Sequence, residues 1–323
     1  MQAIRVRQFG DPEVLTLEEV PDLTPGDGEV LVEVKAAGVN PVDTYVRGGS
    51  YAIKPPLPYT PGIDGAGIVR QVGADVTNVK PGDRVYVAHG TGGSTGTYAQ
   101  QMICGAAAVH ALPEPISFAQ GAGIGVPYAT AWRALVLKAQ MLAGDTLLVH
   151  GASGSVGLAA VQIARAAGLT VIGTAGTERG RALVRAQGAH HALDHTAPDY
   201  RDEIRRLTAS HGPDVILEML ANVNLNHDLT LIAPRGRIVI VGNRANIEIT
   251  PRLVMSKESI VTGLTLWNTP DAEARRIHAA LGAGLASGAL SPVVREELPL
   301  ADAPTAHRRV MEPGAAGKIV LVP

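Results

Sequence analysis

The sequence predicts an α/β protein of two parts, a doubly wound parallel sheet joined to a smaller β-rich domain. Three observations carry the prediction. Residues 1 to about 124 contain short period-2 segments broken by Pro-Gly pairs. From about residue 125, apolar strands alternate with helical patterns. Within that alternation the run Val149-His150-Gly151-Ala152-Ser153-Gly154-Ser155-Val156-Gly157 leads from an apolar strand into an Ala-rich helix.

In the first part, alternation of apolar and polar residues marks strands at Ala3–Val6, Glu29–Val34 and Arg84–Val87, with breaks at Pro25-Gly26, Pro61-Gly62 and Pro81-Gly82. Many short strands with turn signals between them describe a small barrel-like domain. Ala37–Tyr51 lacks periodicity and is expected to be irregular. It concentrates Asn40, Asp43, Tyr45 and Tyr51, and polar segments between strands are where a rigid scaffold carries chemistry.

In the second part, the strand at 146–150 is followed by a helix with Val156, Ala160, Ile163 and Ala167 on one face, ended by Gly168. Strand Thr170–Thr174, helix Arg179–Gln187, a short strand Ala192–Asp194, helix Asp199–His211 and strand Asp214–Met219 come next. Strands Arg237–Val241 and Ile260–Leu266 complete the set. Val/Ile-rich strands joined by crossover helices form a parallel sheet covered on both faces, with ligands expected at the carboxyl ends of the strands. A helix over Asp271–Gly288, a segment Pro292–Leu298 and a terminal strand Lys318–Val322 remain. The sheet of the second domain being complete, the terminal strand is expected to return to the first. The domains are therefore read as 1–124 and 267–323 for the β-rich part and 125–266 for the doubly wound part.

Composition excludes several classes of function. The 323 residues are 46% hydrophobic and 18% charged, the balance of a folded globular chain. A net charge of −2 gives no footprint for nucleic acid or an anionic membrane, so neither is expected as a partner. No apolar run approaches the roughly 18 residues of a membrane span, and no signal peptide is visible, so a cytoplasmic protein is expected. Cys104 stands alone, which rules out an intramolecular disulfide and a cysteine zinc cluster. The histidines are scattered, and neither CxxC, HExxH nor GxSxG occurs, so neither a metal nor a serine nucleophile is expected.

The glycine run has its own chemistry. Gly151 allows a tight turn, Gly154 a close approach of backbone to a pyrophosphate, and Gly157 tight packing of helix on sheet. The helix N-terminus adds free N–H groups and a positive dipole end. The spacing is GxxGxxG, and a glycine-rich turn that binds nothing is the competing reading. After the second strand, where a carboxylate would hold the ribose 2′-hydroxyl of NAD, stand the small neutral residues Thr174-Ala175-Gly176-Thr177. That favours NADPH, although Glu178 a little further on argues the other way. His195, Tyr200 and Arg244 are candidates for phosphate or adenine contacts, each with a plain surface role as the alternative. Tyr45 and Tyr51 are notable in a chain with 3% aromatic residues, because a phenol both stacks on a planar ring and donates to a carbonyl.

End to end, the chain resembles the zeta-crystallin type of NADPH:quinone oxidoreductase, in the medium-chain dehydrogenase/reductase superfamily. The resemblance is carried by Gly38–Tyr45, Leu57–Gly62, His150–Gly157, Gly173–Thr177, Glu218–Leu225 and Gly317-Lys318. Zinc-dependent members of that superfamily carry Cys near position 40 and Gly-His-Glu near 62–64, where this chain has Asn40 and Gly62-Ile63-Asp64. The resemblance therefore implies the zinc-free branch, with a GroES-like catalytic domain split around a Rossmann domain and the active site in the cleft between them. It implies that Ser153, Gly154, Ser155 and Val156 hold the pyrophosphate of NADPH. Gly176, His195, Asn224 and Val241, Gly242, Asn243 and Arg244 would line the rest of the cofactor site, with Thr130 beside the nicotinamide. Asn40, Tyr45 and Tyr51 would form the pocket of a small-molecule quinone and serve its reduction. A homo-dimer or homo-tetramer is implied as well. Two departures stand out: Ser155, where many relatives have Gly, and a longer Gly-rich loop over His89–Thr97, which leaves the shape of the substrate entrance open. An enone or alkenal reductase on the same scaffold, and a non-catalytic crystallin-like or RNA-binding role, are the competing readings.

Overall fold

A computed structural model describes residues 1–88 and 95–323 of the chain. Residues 89–94, most of the Gly-rich loop expected over His89–Thr97, lie outside them. The backbone forms two compact units: Met1–Val126 with His278–Pro313 and Gly317–Pro323, and Pro127–Ile277 with Gly314–Ala316.

In chain order, the first unit begins with β1 (Gln2–Val6), β2 (Leu15–Glu19), β3 (Glu29–Val39), α1 (Pro41–Arg47), β4 (Asp64–Val72) and β5 (Arg84–Ala88). It continues with β6 (Gln101–Gly105), β7 (Val109–Ala111) and α2 (Phe118–Gly121), and α3 (Gly125–Trp132) crosses into the second unit. The second unit holds β8 (Thr146–Val149), α4 (Ser155–Ala166), β9 (Thr170–Thr174), α5 (Glu178–Ala186), β10 (His191–Leu193), α6 (Tyr200–Leu207) and β11 (Val215–Glu218). After these come α7 (Ala221–Leu231), β12 (Arg237–Ile240), α8 (Pro251–Lys257) and β13 (Ile260–Gly263), then α9 (Asp271–Ala286), which leads back to the first unit. There β14 (Val294–Pro299), α10 (Ala303–Arg309) and β15 (Lys318–Val322) finish the chain.

The first unit is organised by β3. Its apolar residues Val30, Val32, Val34, Ala37 and Val39 share one core with Ile4, Val69, Val85, Val87, Met102, Cys104, Ile319 and Leu321. One edge of β3 pairs β4 along its length, and the other is shared: Glu29–Glu33 pair β6, and Ala37–Val39 pair β15. A register shift between Val34 and Ala36 lets a strand of 11 residues bend to serve both neighbours. The terminal strand thus joins the first unit, as expected. Ala37–Tyr51 is not the irregular stretch that its pattern suggested, because Pro41 opens the helix α1 and the Asp43 side chain accepts from the Asn40 backbone N–H (2.8 Å). A helix of 7 residues shows too few turns for an apolar period to be read.

The second unit is a six-stranded parallel sheet in the order β10-β9-β8-β11-β12-β13, the doubly wound arrangement. The crossover from β10 back to β11 reverses the direction of winding between β8 and β11, so the strand ends there open onto a crevice. Leu147, Leu148, Val149, Ile216, Leu217, Ile238 and Val239 are fully buried, as a sheet covered on both faces requires. Two ends fall short of the sequence pattern. Helix α6 stops at Leu207 because Ala209 and Ser210 adopt left-handed conformations (φ 47° and 64°). Strand β13 ends at Gly263, and Leu266–Asn268 form a single 3-10 turn.

Candidate active site

The turn before α4 shows which of its glycines the protein itself needs. Gly151 has φ +58°, a conformation that favours glycine. A Cβ on Gly157 would sit 2.6 Å from Ala152 Cα and from the Gly151 carbonyl oxygen, so the helix start packs against the turn. Gly154 has φ −73° and ψ 164°, open to any residue, and a Cβ there would meet nothing nearer than 3.5 Å. Neither backbone conformation nor neighbouring atoms demand glycine at 154. Ser155, the first residue of α4, has ordinary negative φ and takes a side chain without strain. Ser153 is buried beside it, and Val156 is half-buried.

The neighbouring strand ends bring further candidates together. Gly176 stands against His195, whose Nε2 would lie 3.0 Å from a Cβ on that glycine. Burial and the nearby His150 and Arg181 lower the His195 pKa, partly opposed by Asp194. Glu178, the carboxylate that argued for NAD, is gripped by Arg181 (2.8 Å) and Arg185 (2.9 Å). At β11 and β12 the Glu218 carbonyl oxygen accepts from Val241 (2.8 Å) and Gly242 (3.3 Å), and a Cβ on Gly242 would clash with the Met219 carbonyl oxygen at 2.3 Å. Asn224, on α7, donates through Nδ2 to Glu218 Oε1 (3.2 Å). Asn243 and Arg244 are exposed, and the Arg244 backbone is fixed by the Asn222 side chain (3.0 Å). Thr130 is buried on α3. The ring of Tyr200 packs in the core with Ile204, Ile216 and Leu225, while its hydroxyl accepts from Arg201 Nε (3.2 Å).

In the first unit, Asn40 follows directly on β3 and caps α1. Its side chain is buried and fixed, Nδ2 donating to Asp64 Oδ2 (3.0 Å) while Oδ1 accepts from Lys318 Nζ (2.6 Å). Lys318 also pairs with Asp64 (2.8 Å), and Asp64 Oδ1 accepts from the Val126 N–H (2.8 Å). One helical turn on, Asp43 is buried beneath Tyr98, whose hydroxyl reaches both Asp43 Oδ2 (3.3 Å) and His307 Nε2 (3.1 Å). Burial pushes the Asp43 carboxyl up to about 7, against the Asn40 amide and Lys318, with Asp64 adding to the rise. Burial also holds His307 down to about 3. Tyr45 is half-buried on α1 and lines a hollow of about 500 Å³ with Thr44, Arg47, Ser50, His307 and Arg308. Tyr51 lies beyond the helix, half-buried in a bend. Cys104 is packed in the core, and burial pushes its thiol up to about 12.

Inspection of residue types alone gave no role to Lys318, Asp64, His150, Glu218 or Asp228. The available signal was a charged residue set in an apolar strand, as in Gly317-Lys318-Ile319-Val320-Leu321 and Ile216-Leu217-Glu218-Met219.

The chain matches two known families: "Alcohol dehydrogenase GroES-like domain" over residues 26–114 and "Zinc-binding dehydrogenase" over residues 155–280. It is 47% identical over 324 residues to a quinone oxidoreductase of Homo sapiens, with 100% of this chain and 98% of the relative covered. Among solved structures, an NAD-dependent alcohol dehydrogenase superposes with a TM-score of 0.93 at 32% identity, both chains covered in full. Escherichia coli quinone oxidoreductase complexed with NADPH superposes with a TM-score of 0.88 at 30% identity, again over 100% of both chains. A β-rich GroES-like part, a doubly wound sheet, and this identity along the whole length lead to one conclusion: the chain belongs to the zeta-crystallin-type quinone oxidoreductases of the medium-chain dehydrogenase/reductase superfamily.

Proposed function

We propose that this protein is an NADPH-dependent quinone oxidoreductase that works without a metal. The observation that carries the reading is Gly154, a glycine that the fold does not need, at the mouth of a 12-residue helix. Around it lie strand ends with small neutral residues and a Glu178 paired with Arg185 and with Arg181, which Asp194 also holds. These residues fit NADPH. The pyrophosphate would rest on the backbone of Ser153, Gly154, Ser155 and Val156, with the free N–H groups of α4 as donors. Gly176, His195, Asn224 and the Val241–Arg244 segment would line the remainder, with Thr130 at the nicotinamide end. NADPH, when bound, supplies the hydride. We read the doubly wound unit as the cofactor domain and the β-rich unit as the catalytic domain, with the second boundary after Ile277 in place of the expected 266.

The zinc named for one matching family does not fit here. Ile63 has no ligand atom, and both polar atoms of Asn40 are engaged, one of them by an ammonium group that would repel a cation. The polar side chains of the first unit instead suit a quinone carbonyl. Lys318 and Asp64 fix which end of the Asn40 amide is the donor, and its second N–H is free to reach a carbonyl oxygen. The phenols of Tyr45 and Tyr51 supply a flat face and further donors. Donors fixed before the reaction stabilise the negative charge that grows on oxygen at no further ordering cost. No helix among the described residues is long and apolar enough to cross a membrane, and we place the protein in the cytoplasm. A homo-dimer or homo-tetramer is supported by β13, an edge strand with Ile260 exposed, beside an exposed Met255.

The test is steady-state oxidation of NADPH and NADH with an ortho-quinone, a para-quinone and an enal, each with and without chelator. NADPH-dependent quinone turnover unaffected by chelator is expected. A strong NADH preference, turnover confined to the enal, or loss of activity with chelator would refute the reading.

A further inference from the structure

Directly beneath the proposed cofactor turn lies a buried group that the mechanism above does not use. His150, the residue before Gly151, places Nε2 at 2.8 Å from Asp228 Oδ1 and 3.6 Å from Glu218 Oε2. All three side chains are buried, Glu218 with no exposure at all. The other face of Glu218 points at the cofactor residues. Its Oε1 accepts from the Leu220 N–H and from Asn224 Nδ2, and its carbonyl oxygen holds Val241 and Gly242. His150 is tied to β11 in turn through its N–H on the Leu217 carbonyl oxygen (3.1 Å). The Glu218 side chain therefore touches two segments of the crevice, the glycine turn through His150 and the start of α7 through Leu220 and Asn224, and its backbone carbonyl adds the end of β12.

From this geometry we infer that Glu218 is a positioning residue for NADPH, which sets the orientation of Asn224 and, through its bound proton, the charge beneath the cofactor. The inference rests on the proposed NADPH site. Proton counting supports it. Glu218 Oε2 and Asp228 Oδ2 have no other partner among the described residues, and two ionised carboxylates facing one imidazolium would leave a net buried negative charge. A proton on Glu218, hydrogen-bonded to Asp228, satisfies both orphan oxygens and leaves the three side chains without net charge. Burial pushes the Glu218 carboxyl up to about 7, opposed by His150 and the Leu220 amide and reinforced by Asp228. The His150 pKa is raised: burial works against the charged form, but Asp228 and Glu218 outweigh it, and Arg201 opposes them. The other titratable group facing the cluster is His195, whose own pKa His150 lowers. Above pH of about 7 the shared proton leaves, and a negative charge appears under a polyanionic cofactor.

The test compares wild type, Glu218→Gln and Glu218→Ala by NADPH fluorescence titration from pH 6 to 8, with kcat and KM in parallel. Gln keeps an acceptor for Asn224 and can donate an amide hydrogen where the proton was shared. It should bind NADPH as the wild type does at pH 6, and lose less affinity than the wild type by pH 8. The 2′-phosphate titrates identically in all proteins, so the difference between curves belongs to residue 218. Ala should raise KM for NADPH about tenfold with a smaller change in kcat, the effect of roughly one lost hydrogen bond. If the Ala variant does not fold, the Gln pH profile decides alone. Parallel wild-type and Gln curves overturn the inference, as does a stoichiometric divalent metal lost on Asp228→Asn, since the three ligand atoms lie within 4.8 Å of one another. A wild-type chain that binds no NADPH overturns this inference and the proposed function together. Tight binding indifferent to residue 218 overturns this inference only.

Discussion

Lys318→Met tests whether the buried cluster around Asn40 is an ion pair held by mutual need. Lys318 is 2% exposed and Asp64 is 0% exposed, with Nζ and Oδ2 2.8 Å apart. At that distance and an effective dielectric of about 20, the attraction is roughly 6 kcal/mol. Taking both charges out of water offsets most of it, so against an apolar pair of equal volume the net contribution is near zero. The single substitution is different. Methionine fills the same space but leaves the Asp64 carboxylate buried with only the Asn40 amide and the Val126 N–H as partners. A loss of about 3–5 kcal/mol of stability is expected. Lys318→Met combined with Asp64→Asn should recover most of it, since the orphan charge is gone. Both tryptophans, Trp132 and Trp267, lie in the other unit. Urea unfolding is therefore best followed by far-UV circular dichroism or by amide exchange in β3, β4 and β15. A Lys318→Met protein within about 1 kcal/mol of wild type, or a double variant no better than the single one, would refute the reasoning.

Four further outcomes are expected. Asp43 has a folded-state pKa raised to about 7, so its stabilising proton is fully in place below its unfolded value of about 3.9 and is lost as pH rises through about 7. Asp43→Asn should flatten the decline of stability between pH of about 4 and 7 in urea titrations, and parallel curves would count against a buried neutral carboxyl. Gly154→Asp should abolish NADPH binding through charge and bulk at the phosphates, yet leave thermal stability unchanged, because φ and space at 154 accept a side chain. A protein that keeps its NADPH affinity by fluorescence titration would show the turn to be unused. Tyr45→Phe should lower quinone kcat about tenfold to a hundredfold, one hydrogen bond to a developing charge, with the Kd for NADPH unmoved, and an equal change in both would place Tyr45 elsewhere. Arg244→Ala should weaken NADPH about tenfold and NADH little in paired titrations, whereas equal weakening would remove Arg244 from the 2′-phosphate.

What the sequence revealed follows from the range of its signals. Strand and helix periods in the second unit are local, so β8 to β13 could be read as six strands with crossover helices from Val/Ile runs and glycine stops. The terminal strand was assigned to the first unit by elimination, since one sheet was already full. Helix α1 was missed because 7 residues and a proline start carry little periodicity, while its capping by Asp43 is visible only in three dimensions. Lys318 and Asp64 meet although 254 residues separate them, and no local pattern encodes that contact. Glu218 looked like part of a family signature, but its partners His150 and Asp228 come from a neighbouring strand and the following helix.

The two buried clusters meet the same requirement in different ways. Each fixes an asparagine amide by giving one of its N–H groups to a buried carboxylate, Asp64 for Asn40 and Glu218 for Asn224. A carboxylate in that place must be neutralised or it destabilises the fold. In the first unit a lysine does this, and the amide oxygen is anchored by the same ammonium group, so Asn40 is held at both ends. In the second unit no lysine or arginine reaches the carboxylates among the described hydrogen bonds, and His150 is the cation in contact with them. On the proposed NADPH site, that choice suits a polyanion. A fixed lysine beneath the turn would compete with the amide donors of α4 for the phosphates. Histidine and a mobile proton instead keep the floor of the crevice close to neutral and leave attraction to the helix end.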